Sequence, residues 1–165
     1  MAERPTLDRD LSEAERRIAG LVQYAVVTEA SYDPPRLRVS TGPVTSNWIP
    51  FATARAGQDR TWHPPEVGEQ VVVICPGGDL NQGCVVGSLY RAAHPPPADS
   101  ADIHRTEYAD GTVVEHDRAQ GLTRIAAKGR VRVEAEGDIT LRSKGAIAIR
   151  AEGPITINGA TVDIN

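Results

Sequence analysis

Apolar and polar residues alternate along the last third of the chain, and a glycine interrupts the alternation at every eighth position. The glycines are Gly121, Gly129, Gly137, Gly145 and Gly153. A fixed repeat is typical of stacked copies of one structural unit. Alternation with a period of two predicts a short β-strand in each repeat, with a single apolar face. We therefore expect stacked strands that turn a corner at each glycine.

Each octad, counted from its glycine, carries its apolar side chains at the third and fifth places. The first octad has Thr123 and Ile125 there, and the later octads have Val131, Val133, Ile139, Leu141, Ile147, Ile149, Ile155 and Ile157. The seventh place is small throughout, which suits a corner. Single-chain solenoids with six- or nine-residue repeats have a different period. Because one chain has no second layer to cover these faces, we expect three chains to wrap around one axis with the apolar side chains inside.

The eighth place of the octads alternates in charge, as Lys128, Glu136, Lys144 and Glu152. If octads of different chains stack on one face, these charges oppose each other in register, and each pair contributes a few tenths of a kcal/mol. Alternating charges on a solvated face also arise by chance. Both interpretations stay open.

The first 91 residues predict a helix followed by a small barrel. Residues 6–19 have a thin apolar stripe of helical spacing, with Thr6 or Asp8 as the expected N-cap. Strands are predicted at 21–31 and 36–42 around an Asp-Pro turn, at 46–56, and in a hairpin whose apolar runs span 71–75 and 84–89. Short strands at this density suggest a closed barrel of the OB type.

A proline-rich stretch separates this barrel from the octads. Residues 92–104 contain three consecutive prolines, which favour a semi-rigid extended linker. Asp110-Gly111 then predicts a hairpin turn. The expected organisation is an N-terminal arm or helix (1–19), a barrel (20–91), a linker (92–104) and a trimeric β-helix (105–165), so the fold class is mainly β.

Charge and composition argue against several functions. The formal net charge is -4 and the sequence pI is near 5.6, whereas a nucleic-acid interface needs a basic face. No stretch has the length and apolarity of a membrane span, and the N-terminus lacks the apolar region of a secretory signal, so we expect assembly in the cytoplasm. Cys75 and Cys84 have no ligand cluster near them in sequence and are expected to be reduced.

No arrangement typical of catalysis or metal binding stands out. His63, His94, His104 and His116 are scattered over loops and a predicted strand, where a lone histidine is usually solvated. Sequence signatures of a nucleophile elbow, a phosphate loop and a zinc protease are missing. We therefore expect no enzyme, no cofactor and no metal ligand.

The order of helix, OB-like barrel, proline-rich linker, Asp-Gly hairpin and glycine octads resembles the baseplate assembly protein V family. These proteins are the central spikes of contractile phage tails and of related bacteriocins and injection particles. The segments that carry the resemblance are 48–50, 65–71, 83–90 and 110–112, together with the octads.

The resemblance implies a homotrimer in a phage tail or tail-like particle. Its barrels would contact the tail tube or hub protein and other baseplate proteins, and its prism would puncture the target outer membrane when the sheath contracts. Five octads advance such a prism by only about 25 Å at ~4.7 Å per strand. Family members with a lysozyme domain have many more residues than 91–110 between barrel and prism, so no peptidoglycan hydrolysis is implied.

The C-terminus departs from the family pattern. Some members carry a His-x-His motif that binds iron at the apex, but here the last histidine is His116. The final repeat also changes phase, because Val162 and Ile164 fall on even places. This suggests a blunt end whose contact with a separate tip protein of the PAAR type involves these two residues.

Parts of the sequence are also compatible with two other functions. An OB-type module with a trimerising tail would bind an oligonucleotide or oligosaccharide through Trp48, Phe51 and Trp62, with arginines at 36, 38, 55 and 60 near them in sequence. We favour instead Trp48 and Phe51 as barrel core, since the chain is acidic. A type VI secretion spike shares the plan, although such chains are much longer.

Replacing Ile147 by aspartate tests the inward assignment of the third place. In a trimer the variant puts three unpaired charges around one axis, and buried unpaired charge is costly. We expect no assembly of the variant in light scattering. Normal assembly would make the inward assignment wrong.

Overall fold

The computed structural model describes residues 4–163, with side chains from residue 9 onward. The described residues are mainly β, with one α-helix, α1 (Arg4–Ala19), and two short 3₁₀ helices, Pro76–Gly78 and Leu80–Gln82. A five-stranded antiparallel sheet has the order β3-β2-β1-β4-β5, formed by β1 (Val22–Tyr32), β2 (Pro35–Thr41), β3 (Val44–Thr45), β4 (Gln70–Ile74) and β5 (Cys84–Leu89). A second, three-stranded sheet has the order β6-β7-β8, formed by β6 (Ile103–Glu107), β7 (Val113–Asp117) and β8 (Leu122–Ala126).

Buried aliphatic side chains on alternating positions hold the larger sheet together. Cross-strand pairs such as Val27 with Val39 and Ala25 with Val71 place these side chains on the same face. The buried core of the barrel lies within residues 25–85, in the strands of this sheet and their connections. It comprises Ala25, Val27, Leu37, Val39, Ile49, Val71, Val73, Cys75, Leu80 and Val85. The alternation of the sequence thus explains which face is buried.

The connection after β3 closes the sheet into an OB-like barrel. Ile49 exchanges backbone hydrogen bonds of 2.9 Å with Leu37 on β2, and the Val85 amide of β5 donates to the Pro50 carbonyl at 3.0 Å. The predicted third strand over 46–56 is wrong, because the segment forms only isolated bridges, at Ile49, Phe51 and Ala56. Pro50 lies between the first two of these bridges and has no amide to donate, which prevents a continuous ladder.

The helix begins earlier than its sequence predicts. It starts at Arg4, so Thr6 and Asp8 lie inside it rather than at the N-cap. Pro5 lies in the first turn, where a missing amide costs nothing and the fixed φ favours the helix. At the other end, Gly78 approaches the helix closely, since a Cβ there would lie 2.9 Å from the Arg17 carbonyl oxygen.

The turns, aromatic side chains and cysteines of the barrel were also predicted from the sequence. The turn between β1 and β2 contains Asp33-Pro34, and β4 and β5 form the expected hairpin. Phe51 packs against the core as predicted, but Trp48 is 45% exposed and does not fill the barrel, because Leu37 and Ile49 occupy its interior. Cys75 and Cys84 are both free, and burial raises the pKa of the Cys75 thiol. Within residues 4–163 no helix is long and apolar enough to cross a membrane.

Truncating a core valine should destabilise the barrel. Val39→Ala removes two buried methyl groups from a fully buried position, and we expect a loss of roughly 2–3 kcal/mol in the free energy of unfolding. Val44→Ala, at a position that is 55% exposed on the neighbouring strand, is the matched control. Urea denaturation followed by circular dichroism measures both, and equal losses would contradict the burial of Val39.

Candidate functional site

The octad segment after β8 has no strand partner among the described residues. Residues 127–163 form no helix or strand, and their backbone bends at 128–129, 136–137, 144–145, 152–153 and 160. Each bend falls on the eighth place of an octad, and the first four also include the glycine of the next octad. The bends divide residues 130–159 into four pieces of six residues, at 130–135, 138–143, 146–151 and 154–159.

The apolar third and fifth places of these octads are exposed in the single chain. Their exposed fractions range from 52% for Ile155 to 77% for Leu141, and the other members are Val131, Val133, Ile139, Ile147, Ile149 and Ile157. Val162 is 48% exposed, and Ile164 lies outside the described residues. We call the eight exposed side chains at third and fifth places the octad stripe. It is a large apolar surface, of the kind that marks an interaction site.

Most of the octad glycines have no requirement for glycine within one chain. Gly121 has a φ of 62°, in the left-handed region that favours glycine. Gly129, Gly137, Gly145 and Gly153 lie outside that region, and a Cβ would meet no atom at three of them and only the Ser143 hydroxyl, at 3.8 Å, at Gly145. A recurring glycine with neither a special backbone conformation nor a close neighbour in its own chain suits a close approach by another chain.

The three-stranded sheet has two chemically different faces. One face carries an ion-pair ladder, in which the Glu115 carboxylate lies 3.2 Å from both Arg105 on β6 and Arg124 on β8. Arg105 also pairs with Glu107 at 2.7 Å. The side chain of Glu115 is only 12% exposed, so its ion pairs are better shielded from solvent than ion pairs between fully exposed side chains.

The opposite face carries no carboxylate and no arginine, and it continues the octad stripe. It presents His104 and Thr106 from β6, Val114 and His116 from β7, and Thr123 and Ile125 from β8, all of them exposed. Thr123 and Ile125 are the third and fifth places of the first octad. We call this surface the histidine face. The first octad is therefore already a paired strand, β8. The strand β6 begins at Ile103, inside the segment 92–104 that was predicted as a linker.

The linker is attached to the barrel at its start. Arg91 and His94 exchange backbone hydrogen bonds of 3.2 and 2.9 Å, and the Arg91 guanidinium donates to the Gly68 carbonyl at 3.1 Å. At its other end Arg118 pairs with Asp102 at 2.6 Å. These contacts tie both ends of the proline-rich stretch to the sheets that it joins.

Trp48 and Trp62, two of the aromatic side chains that an oligonucleotide-binding OB fold would use, are 45% and 62% exposed on the barrel surface. Trp62 contacts Tyr32 and Phe51 with ring centroids 6.1 and 6.3 Å apart, whereas Trp48 has the Arg38 guanidinium 6.0 Å from its ring. Arg38 is paired with Glu29 at 2.9 Å, and Arg55 with Asp59 at 3.4 Å. Neighbouring carboxylates thus neutralise two of the arginines that a phosphate backbone would need.

Comparison with known proteins agrees with this architecture. Residues 23–90 match the family described as the type VI secretion system/phage-baseplate injector OB domain. The chain is also 33% identical over 108 residues to the spike protein of Escherichia phage P2. That alignment covers 66% of this chain and 51% of the relative, so the chain spans about half the length of this relative.

The turn before β7 depends on the carboxylate of Asp110. It accepts hydrogen bonds from the Thr112 amide at 2.8 Å and the Thr112 hydroxyl at 3.1 Å, and these bonds lower the pKa of Asp110. A carboxyl whose pKa is lowered on folding stabilises the fold above its unfolded pKa. That contribution is lost as the pH falls through the folded pKa.

Thr112→Val should raise the pKa of Asp110 only part of the way to its ordinary value. The hydroxyl donor is lost, but the backbone amide, the larger cause, remains. Side-chain NMR titration measures the pKa, with Thr106→Val as a control on the histidine face. An unchanged Asp110 pKa in Thr112→Val would contradict the role of the hydroxyl.

Proposed function

We propose that this chain, whose residues 23–90 match the phage-baseplate injector OB domain and which is 33% identical over 108 residues to a phage spike protein, is the central spike subunit of a contractile tail baseplate. Three copies form a homotrimer, in which the octads wrap into a β-prism with the octad stripe inside. The observation that carries this proposal is the octad stripe itself, which repeats every eight residues and is uncovered in the single chain. The role is structural rather than catalytic.

The physical need for partners supports the homotrimer. Residues 127–163 lack a backbone ladder of their own, and burying them requires hydrogen-bond partners for each amide and carbonyl. Burial of an aliphatic side chain contributes roughly 1.5–3 kcal/mol, and each chain has eight in the octad stripe. Three identical chains satisfy both needs at once, because every strand then finds neighbours with the same period.

The division of the chain supports a role in load transfer. The barrel has its own buried core and would contact the tail tube or hub and other baseplate proteins. The prism would point toward the target envelope and puncture the outer membrane transiently on sheath contraction. Hydrogen-bonded β structure without free edges resists local opening, which suits a part loaded along its axis.

The particle, the tip contact and the exclusion of nucleic acid complete the proposed function. The particle is a phage tail or tail-like particle that assembles in the bacterial cytoplasm. A separate tip protein of the PAAR type would cap the C-terminal end at Val162 and Ile164. No nucleic acid is a partner, in keeping with the acidic charge and the paired arginines of the barrel.

Light scattering of the native protein tests the homotrimer. We expect a mass near three times 17.7 kDa that withstands detergent until the sample is heated. A monomer would leave the octad stripe uncovered and would overturn the proposed function. An OB-type binding module would then be the better explanation.

A matched pair of variants separates the inward face from the outward face. Ile147→Asp changes the third place of the fourth octad, and Ala148→Asp puts the same charge at the neighbouring even place. We expect Ala148→Asp to assemble like the unaltered protein and Ile147→Asp to remain unassembled. Loss of assembly in both variants would show that added charge alone disrupts the particle, and the assignment of faces would fall.

A further inference from the structure

Two histidines lie directly opposite each other on the histidine face. His104 on β6 pairs with His116 on β7 in the strand register, and both are exposed in the single chain. Directly opposed residues of an antiparallel pair have Cβ atoms about 4.5–5.5 Å apart. Imidazole nitrogens bind zinc, copper, iron and nickel, with metal–nitrogen distances near 2.0–2.1 Å for zinc. The register therefore places two suitable ligands within reach of one ion.

The ring of His116 is already oriented by a third strand. Its Nδ1 lies 2.8 Å from the Thr123 hydroxyl oxygen on β8, opposite His116 in the register. In the tautomer whose Nδ1–H donates to that hydroxyl, Nε2 presents its lone pair outward. A hydrogen bond to the second ring nitrogen is the usual support of a metal-binding histidine.

One chain cannot complete the site. Among the described residues no group of three or more histidine, cysteine, aspartate or glutamate side chains is arranged to hold a metal ion. The histidine face has no carboxylate, because Glu107, Glu115 and Asp117 lie on the other face of the sheet. Further copies of the same histidines can supply the missing ligands.

We propose that the three copies of His104 and His116 together bind one transition-metal ion on the axis of the homotrimer. This inference rests on the proposed homotrimer. The histidine face carries Thr123 and Ile125, the third and fifth places of the first octad. If those places point toward the axis, so do the two histidines. The ion then lies where the prism begins, at the end next to the barrels, and ties the three chains together there.

Zinc binding to the full chain tests the site. The protein is stripped with a chelator, titrated with Zn²⁺ by calorimetry and analysed for bound zinc, while light scattering of the same sample gives its mass. We expect a trimer that binds one Zn²⁺ per three chains. Both His104→Gln and His116→Gln should abolish this binding, and Thr123→Val should weaken it roughly 10- to 100-fold through the supporting hydrogen bond. His63→Gln, a loop histidine, should bind zinc normally.

The outcomes separate the site from the trimer. A trimer that binds no zinc, binds one ion per chain, or keeps its zinc in both glutamine variants would overturn the shared site and leave the homotrimer standing. A monomer would overturn the proposed function and the shared site with it. If a glutamine variant does not assemble, the zinc content of the unaltered trimer decides the question.

Discussion

The organisation of this protein depends on one constraint, which is that a strand with an apolar face needs both a ladder and a cover. The barrel satisfies this constraint within the chain, because Val27, Val39, Val71 and Val73 face one another in a closed core. The octads after β8 do not, since the chain offers them neither neighbouring strands nor a second layer. The boundary between the self-sufficient part, residues 4–126, and the dependent part, residues 127–163, lies at the end of β8.

The three-stranded sheet lies between the barrel and the octads that follow β8. Its charged face keeps Arg105, Glu115 and Arg124 paired in one ladder, in which Glu115 is largely shielded from solvent. Its histidine face has the same phase as the octad stripe and suits contact with other chains. In the proposed homotrimer, this short sheet would set which side of the following octads faces inward.

Much of this could be predicted from the sequence, and the reasons differ from element to element. The octads and the hairpins at Asp110-Gly111 and between 71–75 and 84–89 follow from local periodicity and turn chemistry. The third strand was predicted wrongly because Pro50 breaks a ladder that alternation alone predicts. The exposure of Trp48 and the pairing of His104 with His116 depend on register between segments far apart in sequence, which no local pattern encodes. The covered state of the octad stripe remains a prediction.

The pairing of β8 with β7 also bears on the order in which the particle forms. The first octad is held in register by five backbone pairs to a strand of its own chain, so its position is set before any other chain arrives. In the proposed homotrimer, winding of the three chains would then start from three prepared ends instead of from freely sliding segments. A repeat of period eight invites slippage by whole octads, and a fixed starting point removes that ambiguity at the first step.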